Sequence, residues 1–230
     1  RYKIVFDPKI DATKYSPIGE KITESETKLP FVKNNNFDCP GFRDPEPLQD
    51  IVNAYSIYRV MSQNKKLKVV LVSSVAELES GKKEEFLSLL DQIGEIYQDN
   101  IDALCNGLCL VITTAEDRDI DEDYYKKFFR DMSKEQSGKG HKQKSSRIKI
   151  LEFLSNTDRI AFFKMPGQEG PIPSDNREAI DEMLRYVLYQ ENIKPKLSLS
   201  VASKAFLDGL LSYIFKEMVN IVIDMNKKYP

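Results

Sequence analysis

Apolar positions recur along this chain at two different periods. "LKVVLVS" (67–73) and "GLCLVIT" (107–113) are continuous apolar runs of strand length. Runs of that kind suit strands buried on both faces of a parallel sheet. "RIAFFKM" (159–165) and "YKIVF" (2–6) also read as strands, and "KLPFV" (28–32) as a short extended piece. Between them the period changes to that of a helix. Ile51, Ala54, Tyr55, Tyr58 and Met61 mark one helix over 47–63, and Phe86, Leu89, Leu90, Ile93 and Tyr97 another over 81–98. "DEDYYKKFFRDM" opens a third, with acids in the first turn where the helix dipole favours them. Residues 147–155 predict a short helix, and Ile180, Met183, Leu184, Val187 and Leu188 a further one. Polar stretches at 7–27, 137–146 and "PGQEGPIPSDN" predict loops.

This alternation predicts an α/β fold over residues 1–193, a mostly parallel sheet with helices on both faces and right-handed crossovers. In such sheets ligands sit at the carboxyl ends of the strands, where Asp38, Thr113 and Met165 are expected to emerge. Residues 194–230 predict a separate C-terminal helical extension. There Leu207, Leu211, Ile214, Met218, Ile221 and Met225 follow a 4-3-4-3-4 spacing, the seam of a coiled coil. Leu210, Phe215, Val222 and Ile223 widen that stripe. It serves either packing onto the chain's own domain or a protein partner, including a homo-oligomer.

Composition narrows the class. The 230 residues are 41% apolar and 30% charged, which is globular rather than disordered. A net charge of -2 and a pI near 5.7 give no electrostatic support for nucleic-acid binding. Three cysteines without framework spacing point to a reducing, cytoplasmic compartment. No apolar run is long enough for a transmembrane helix.

The candidate chemistry centres on "FDCPGFRD" (37–44). A carboxylate, a Pro-Gly turn and an aromatic make either a plain surface turn or a nucleotide switch. Upstream lies "ESETKLP" with Thr27, and downstream "TTAED" (113–117) at the end of a buried strand. A hydroxyl in a loop, then Asp-x-x-Gly, then an Asp after a core strand, resembles the P-loop GTPase order. The passage "SPIGEKITESETKLPFV…FDCPGFRD" is similar to the passage from switch I to switch II of septins and of the immunity-associated and chloroplast-envelope GTPases. The resemblance covers roughly residues 1–190 and implies a G-domain-like P-loop NTPase fold that binds GTP or GDP with Mg2+ and hydrolyses GTP slowly.

By that resemblance Thr27 reaches magnesium and the γ-phosphate, and Asp38 holds the Mg2+ shell through water, as a hard cation that keeps its hydration requires. Gly41 offers its backbone N–H to the γ-phosphate, where a side chain would hinder approach. Thr27 and Gly41 are thus the catalytic pair. Thr114 opens the guanine-reading motif and Asp117 accepts from the guanine edge. Ala115 stands where the family has Lys, which puts guanine preference in question. No Gly-x-x-x-x-Gly-Lys-Ser/Thr loop occurs anywhere in the chain. That loop supplies the N–H nest and the lysine that grip phosphates. With Arg1, not Met, leading straight into "YKIVF", the expectation is a chain cut between phosphate loop and first switch, binding nucleotide poorly by itself. The alternative expectation is a nucleotide-free pseudo-GTPase that acts as a scaffold through its C-terminal helix.

Other constellations carry less. "DRDIDED" (117–123) alternates acids, but Glu122 and Phe128 stand where a calcium loop needs Gly and Glu. Lys139, His141, Lys142, Lys144, Arg147 and Lys149 form a basic stretch without interleaved aromatics for base stacking. His141 is the sole histidine, which argues against a catalytic triad or a His-based metal site.

Overall fold

The structure is a computed structural model, and it describes residues 30–33, 36–42, 44–79, 83–115, 121–138, 145–164, 174–191 and 193–228. The predicted strand at 2–6 and the loop carrying Thr27 lie outside the described residues. The chain divides into two compact units, residues 1–60 with 197–230, and residues 61–196.

In the first unit, β1 (Phe31–Lys33) and β2 (Asn36–Asp38) pair as an antiparallel hairpin with Phe31 opposite Asp38. Helix α1 (Pro47–Gln63) starts where Glu46 turns its carboxylate onto the N–H groups of Leu48 (3.1 Å) and Gln49 (2.6 Å), satisfying donors that a first helical turn leaves open. Pro47, in the first helical position, loses no hydrogen bond there. The first unit ends in α8 (Val201–Lys228).

The second unit is built on a parallel sheet of three strands in the order β4 (Val69–Ser74), β5 (Leu108–Ala115) and β6 (Ile160–Lys164). Its central strand is buried on both faces: Leu108, Cys109, Leu110 and Ile112 are fully covered. That burial accounts for the unbroken apolar run, because neither face of β5 meets water. The strands are joined through α2 (Val75–Glu79), α3 (Lys83–Tyr97) and α4 (Ile101–Asn106), and then through α5 (Glu122–Ser137) and α6 (Ser145–Leu154). Helix α7 (Ser174–Tyr186) follows β6. A short antiparallel pair, β3 (Lys66–Leu67) with β7 (Gln190–Glu191), ties the start of β4 to the segment after α7.

Helix placement follows from which side chains each helix can bury. Helix α5 is capped by Asp121, whose carboxylate accepts from Tyr124 N–H at 2.9 Å. Its buried positions Tyr125, Phe129, Met132, Ser133 and Gln136 fall on one face. Tyr125 packs on Phe162 of β6, ring centroids 5.6 Å apart, and Phe129 on Phe86 of α3 at 5.8 Å. On the opposite face of the sheet, Met183 and Val187 cover Cys109, Val111 and Ala161. Each such apolar side chain contributes about 1.5–3 kcal/mol by leaving water.

The coarse expectation of an α/β fold with a parallel sheet is met. The helices over 47–63 and 81–98 appear as α1 and α3, and the strand at 107–113 runs on to Ala115. Two differences concern short elements. Helices α2 and α4 have only 5 and 6 residues and carry no full amphipathic period to read. Val187 and Leu188 lie past the end of α7. Val187 is buried all the same, so it reads like a helical core position.

Candidate functional site

In the first unit Asp38 closes β2 and is exposed, Cys39 is half-buried, Pro40 is buried and Gly41 is exposed. The turn is anchored to α1 by Asn53, whose amide donates to the Gly41 carbonyl at 3.3 Å. Asn53 is itself buried and accepts from the Gln49 amide at 2.7 Å. A hydrogen bond from a buried helix side chain thus holds the backbone at Gly41. Burial, and secondarily the neighbouring Asp38 carboxylate, push the Cys39 thiol up to about 11. Its resting form is therefore the neutral thiol, not a nucleophile.

A polar network joins α1 to the start of α8. Asp50 of α1 is buried and accepts from Ser200 N–H (3.2 Å) and from the Ser203 hydroxyl (2.6 Å). The Ser203 hydroxyl also bonds Ser200 Oγ at 2.9 Å, and Ser203 N–H donates to Ser200 Oγ at 3.1 Å, so Ser200 caps α8. A carboxylate at a helix N-terminus gains from both the free N–H groups and the helix dipole. The missed signal was "SLSVAS", a Ser with another Ser three residues on ahead of a helical run.

In the second unit three strand ends converge by register. Ser74 lies opposite Thr113, and Thr113 opposite Phe163. A register shift falls between Thr113 and Ala115, so Thr114 sits at an irregularity in β5. The Thr113 hydroxyl donates to the Ser73 carbonyl at 3.4 Å. Ala115 is fully buried. At the end of β4, Glu77 accepts from Ser73 Oγ (2.9 Å) and Ser74 N–H (2.8 Å), while Ser74 Oγ accepts from Glu77 N–H (3.2 Å). At the end of β6, the Asn176 amide bonds both backbone groups of Lys164, at 2.8 and 3.0 Å. These five groups, Ser73, Ser74, Glu77, Thr113 and Asn176, fix the strand ends that surround Thr114. Asp117 and Met165 lie outside the described residues.

Thr27 likewise lies outside the described residues, so of the two proposed magnesium ligands Asp38 alone can be placed. It offers one exposed carboxylate, compatible with a water-mediated hold on a hydrated cation. Among the described residues no group of three or more His, Cys, Asp or Glu side chains could hold a metal ion. Cys105 and Cys109 are free, and burial raises their thiols to about 11 and 12. A groove of about 780 Å³ runs beside β6 and α7, lined by Asp158, Arg159, Ile160, Phe162, Met183 and Tyr186 among others, and holds none of the predicted site residues.

Among the described residues no helix is long and apolar enough to cross a membrane. No family model, no curated protein and no solved structure matches the chain.

Proposed function

We propose that this chain is the switch-bearing and base-side portion of a guanine-nucleotide-binding domain, with a P-loop NTPase architecture of the septin-like or immunity-associated type. The observation that carries this reading is the parallel β4–β5–β6 sheet in chain order, with Thr114 near the carboxyl end of its middle strand. Open α/β sheets bind ligands at that end. The held Gly41 backbone beside an exposed Asp38 supports the phosphate-side half of the reading.

In this reading Thr27 and Asp38 serve Mg2+, Thr27 and Gly41 the γ-phosphate, and Thr114 and Asp117 the base. Magnesium, when bound, neutralises the phosphate oxygens. The protein's own share is positioning: Asp38 orients the hydrated cation, and the Gly41 N–H marks the γ-phosphate. Ala115 supplies no lysine stem over the base and is buried besides, so discrimination against adenine rests on Asp117. The chain has no phosphate loop of its own sequence type, so these 230 residues are expected to bind nucleotide weakly by themselves. The test is a titration of the intact protein carrying this chain with GTP, GDP and ATP in the presence and absence of Mg2+. Guanine binding that requires Mg2+ and is lost in Asp38→Ala supports the reading. Equal, Mg2+-independent signals overturn it.

A second reading is favoured by one specific observation. On α8, Leu211, Tyr213, Phe215, Met218 and Ile221 are all more than half exposed. Leu207 is half-buried and Ile214 exposed, and the side chain of Met225 lies outside what is described. A nucleotide-free scaffold would use this stripe to bind a protein. Leu211→Lys with Met218→Lys is expected to leave thermal unfolding unchanged and to abolish self-association in sedimentation. Unchanged sedimentation would remove the oligomer form of this reading.

A further inference from the structure

Among the described residues, strand β6 pairs with β5 alone. Leu110 N–H donates to the Arg159 carbonyl at 3.0 Å, so odd-numbered residues from Arg159 onward turn their backbone groups toward β5. By the alternation of a strand, Ile160, Phe162 and Lys164 turn theirs outward. At Lys164 the outward pair is occupied: the Asn176 side-chain amide accepts from its N–H at 2.8 Å and donates to its carbonyl at 3.0 Å. One side chain thereby reproduces the two hydrogen bonds that a residue of a neighbouring strand exchanges. Among the described residues the outward N–H and C=O groups of Ile160 and Phe162 meet no such partner. From Ile160 to Phe163 the edge carries no Pro and no charged side chain, the devices that blunt an exposed edge.

This edge lines the groove of about 780 Å³. The groove takes its walls from both faces of the sheet. Phe162 packs on Tyr125 of α5 on one face, and Ile160 lies on that same face by alternation. Ala179, Glu182 and Met183 of α7 line the groove on the other face. A strand laid along β6 would therefore enter a slot flanked by a helix on each side. Its alternate side chains would lie beside Ile160 and Phe162 on one face and turn toward α7 on the other.

Charge narrows the occupant. The cations near the groove are already engaged. Lys126 bridges Glu122 and Asp158, Lys164 pairs with Asp175, and the Arg159 guanidinium donates to the carbonyls of Cys105 (3.2 Å) and Asn106 (2.6 Å). On α7, Glu178 and Glu182 are exposed one helical turn apart, and among the described residues neither has an ion-pair partner. The α7 wall thus favours a positive side chain. Two copies of this chain joined edge to edge through β6 would instead bring like acidic rims together, which disfavours a second copy.

We propose that the outer edge of β6 binds an extended segment of another protein by strand addition, with apolar residues beside Ile160 and Phe162 and Lys or Arg at the alternate positions facing Glu182. Asn176 marks one end of this site, because it already fills the strand position opposite Lys164. The inference goes beyond the nucleotide reading and does not rest on it.

The test is a fluorescence-anisotropy titration of the protein with a labelled nine-residue peptide alternating Val and Lys. Saturable binding is expected, with amide exchange at Ile160 and Phe162 slowed at least about tenfold by the peptide and that at Ala161 little changed. Methylating every second peptide nitrogen, in the register that faces β6, should weaken binding at least about tenfold, and so should Glu in place of Lys. Ala179→Trp and Glu182→Lys, both at exposed positions, should weaken it comparably at an unchanged unfolding temperature. Absence of binding overturns the proposal. So does binding indifferent to N-methylation and to Ala179→Trp, which would be charge attraction alone. Slow exchange at Ile160 and Phe162 in the protein without peptide also overturns it. If that protection rises with protein concentration, a second copy occupies the edge; if it does not, the chain's own residues outside the described ones do.

Discussion

Asp50 ties α1 to the start of α8 in the first unit. Its carboxylate is buried and takes a backbone N–H at the start of α8 and the Ser203 hydroxyl. Asp50→Ala leaves both donors without that acceptor. The expected cost is about 1–3 kcal/mol in urea unfolding, since each stranded buried group carries its desolvation penalty. Ser203→Ala is expected to cost about as much, and the double variant less than the sum, because both remove one interaction. The cysteines give a prediction in pH. Their thiols are raised from an ordinary 9.0 to about 11 for Cys39 and Cys105 and about 12 for Cys109. An acid whose folded value lies above its unfolded one stabilises the fold below the unfolded value and loses that contribution as pH rises through the folded one. Stability should therefore fall between pH 9 and 12. At pH 8 only about a thousandth of a thiol titrating near 11 is thiolate, so a disulfide reagent should react slowly with Cys39 and Cys105 until the chain unfolds. Rapid native reaction at pH 8 would contradict the burial described for them.

The elements show which parts of the fold the sequence makes legible. Strand β5 was legible because both its faces are buried, and a strand that meets no water needs no polar alternation. Helix α5 was legible because acids open it and its buried face repeats at helical spacing. The ends of strands were less so. Glu77 tying off β4 is a local Ser-x-x-Glu capping box with Ser74, whereas Asn176 occupying the backbone of Lys164 depends on a pairing 12 residues apart that no local pattern encodes. Gly107 is a further case. A Cβ there would come within 2.2 Å of Gln190 Cγ, and Gln190 cannot retreat. Its amide donates to the Leu104 carbonyl at 3.0 Å, and its oxygen accepts from the Tyr97 hydroxyl. Gly107→Ala should cost about 1–3 kcal/mol through overpacking, read as a lower unfolding midpoint. A neutral result would mean that β7 is held more loosely than these contacts imply. The sequence shows the glycine but not Gln190, which is 83 residues away in the chain by the difference of their numbers.

For the whole molecule the functional reading joins two pieces of unequal legibility. "FDCPGFRD" and "TTAED" were visible as motifs, and the structure adds Asn53 behind Gly41 and the Thr113 hydroxyl on the Ser73 carbonyl. What the sequence could not show was the open side of β4, because Val70 and Val72 read as core in "LKVVLVS" and are exposed here. The central claim is that Asp38 serves a magnesium-bound guanine nucleotide. The most direct measurement is a calorimetric titration of GTP into the intact protein, with Mg2+ and with chelator, for wild type and Asp38→Ala. The account predicts Mg2+-dependent binding weakened about tenfold or more by the substitution, about 1.4 kcal/mol of lost affinity. GTP affinity that is unchanged by Asp38→Ala and by chelator, or no GTP binding at all, would contradict it.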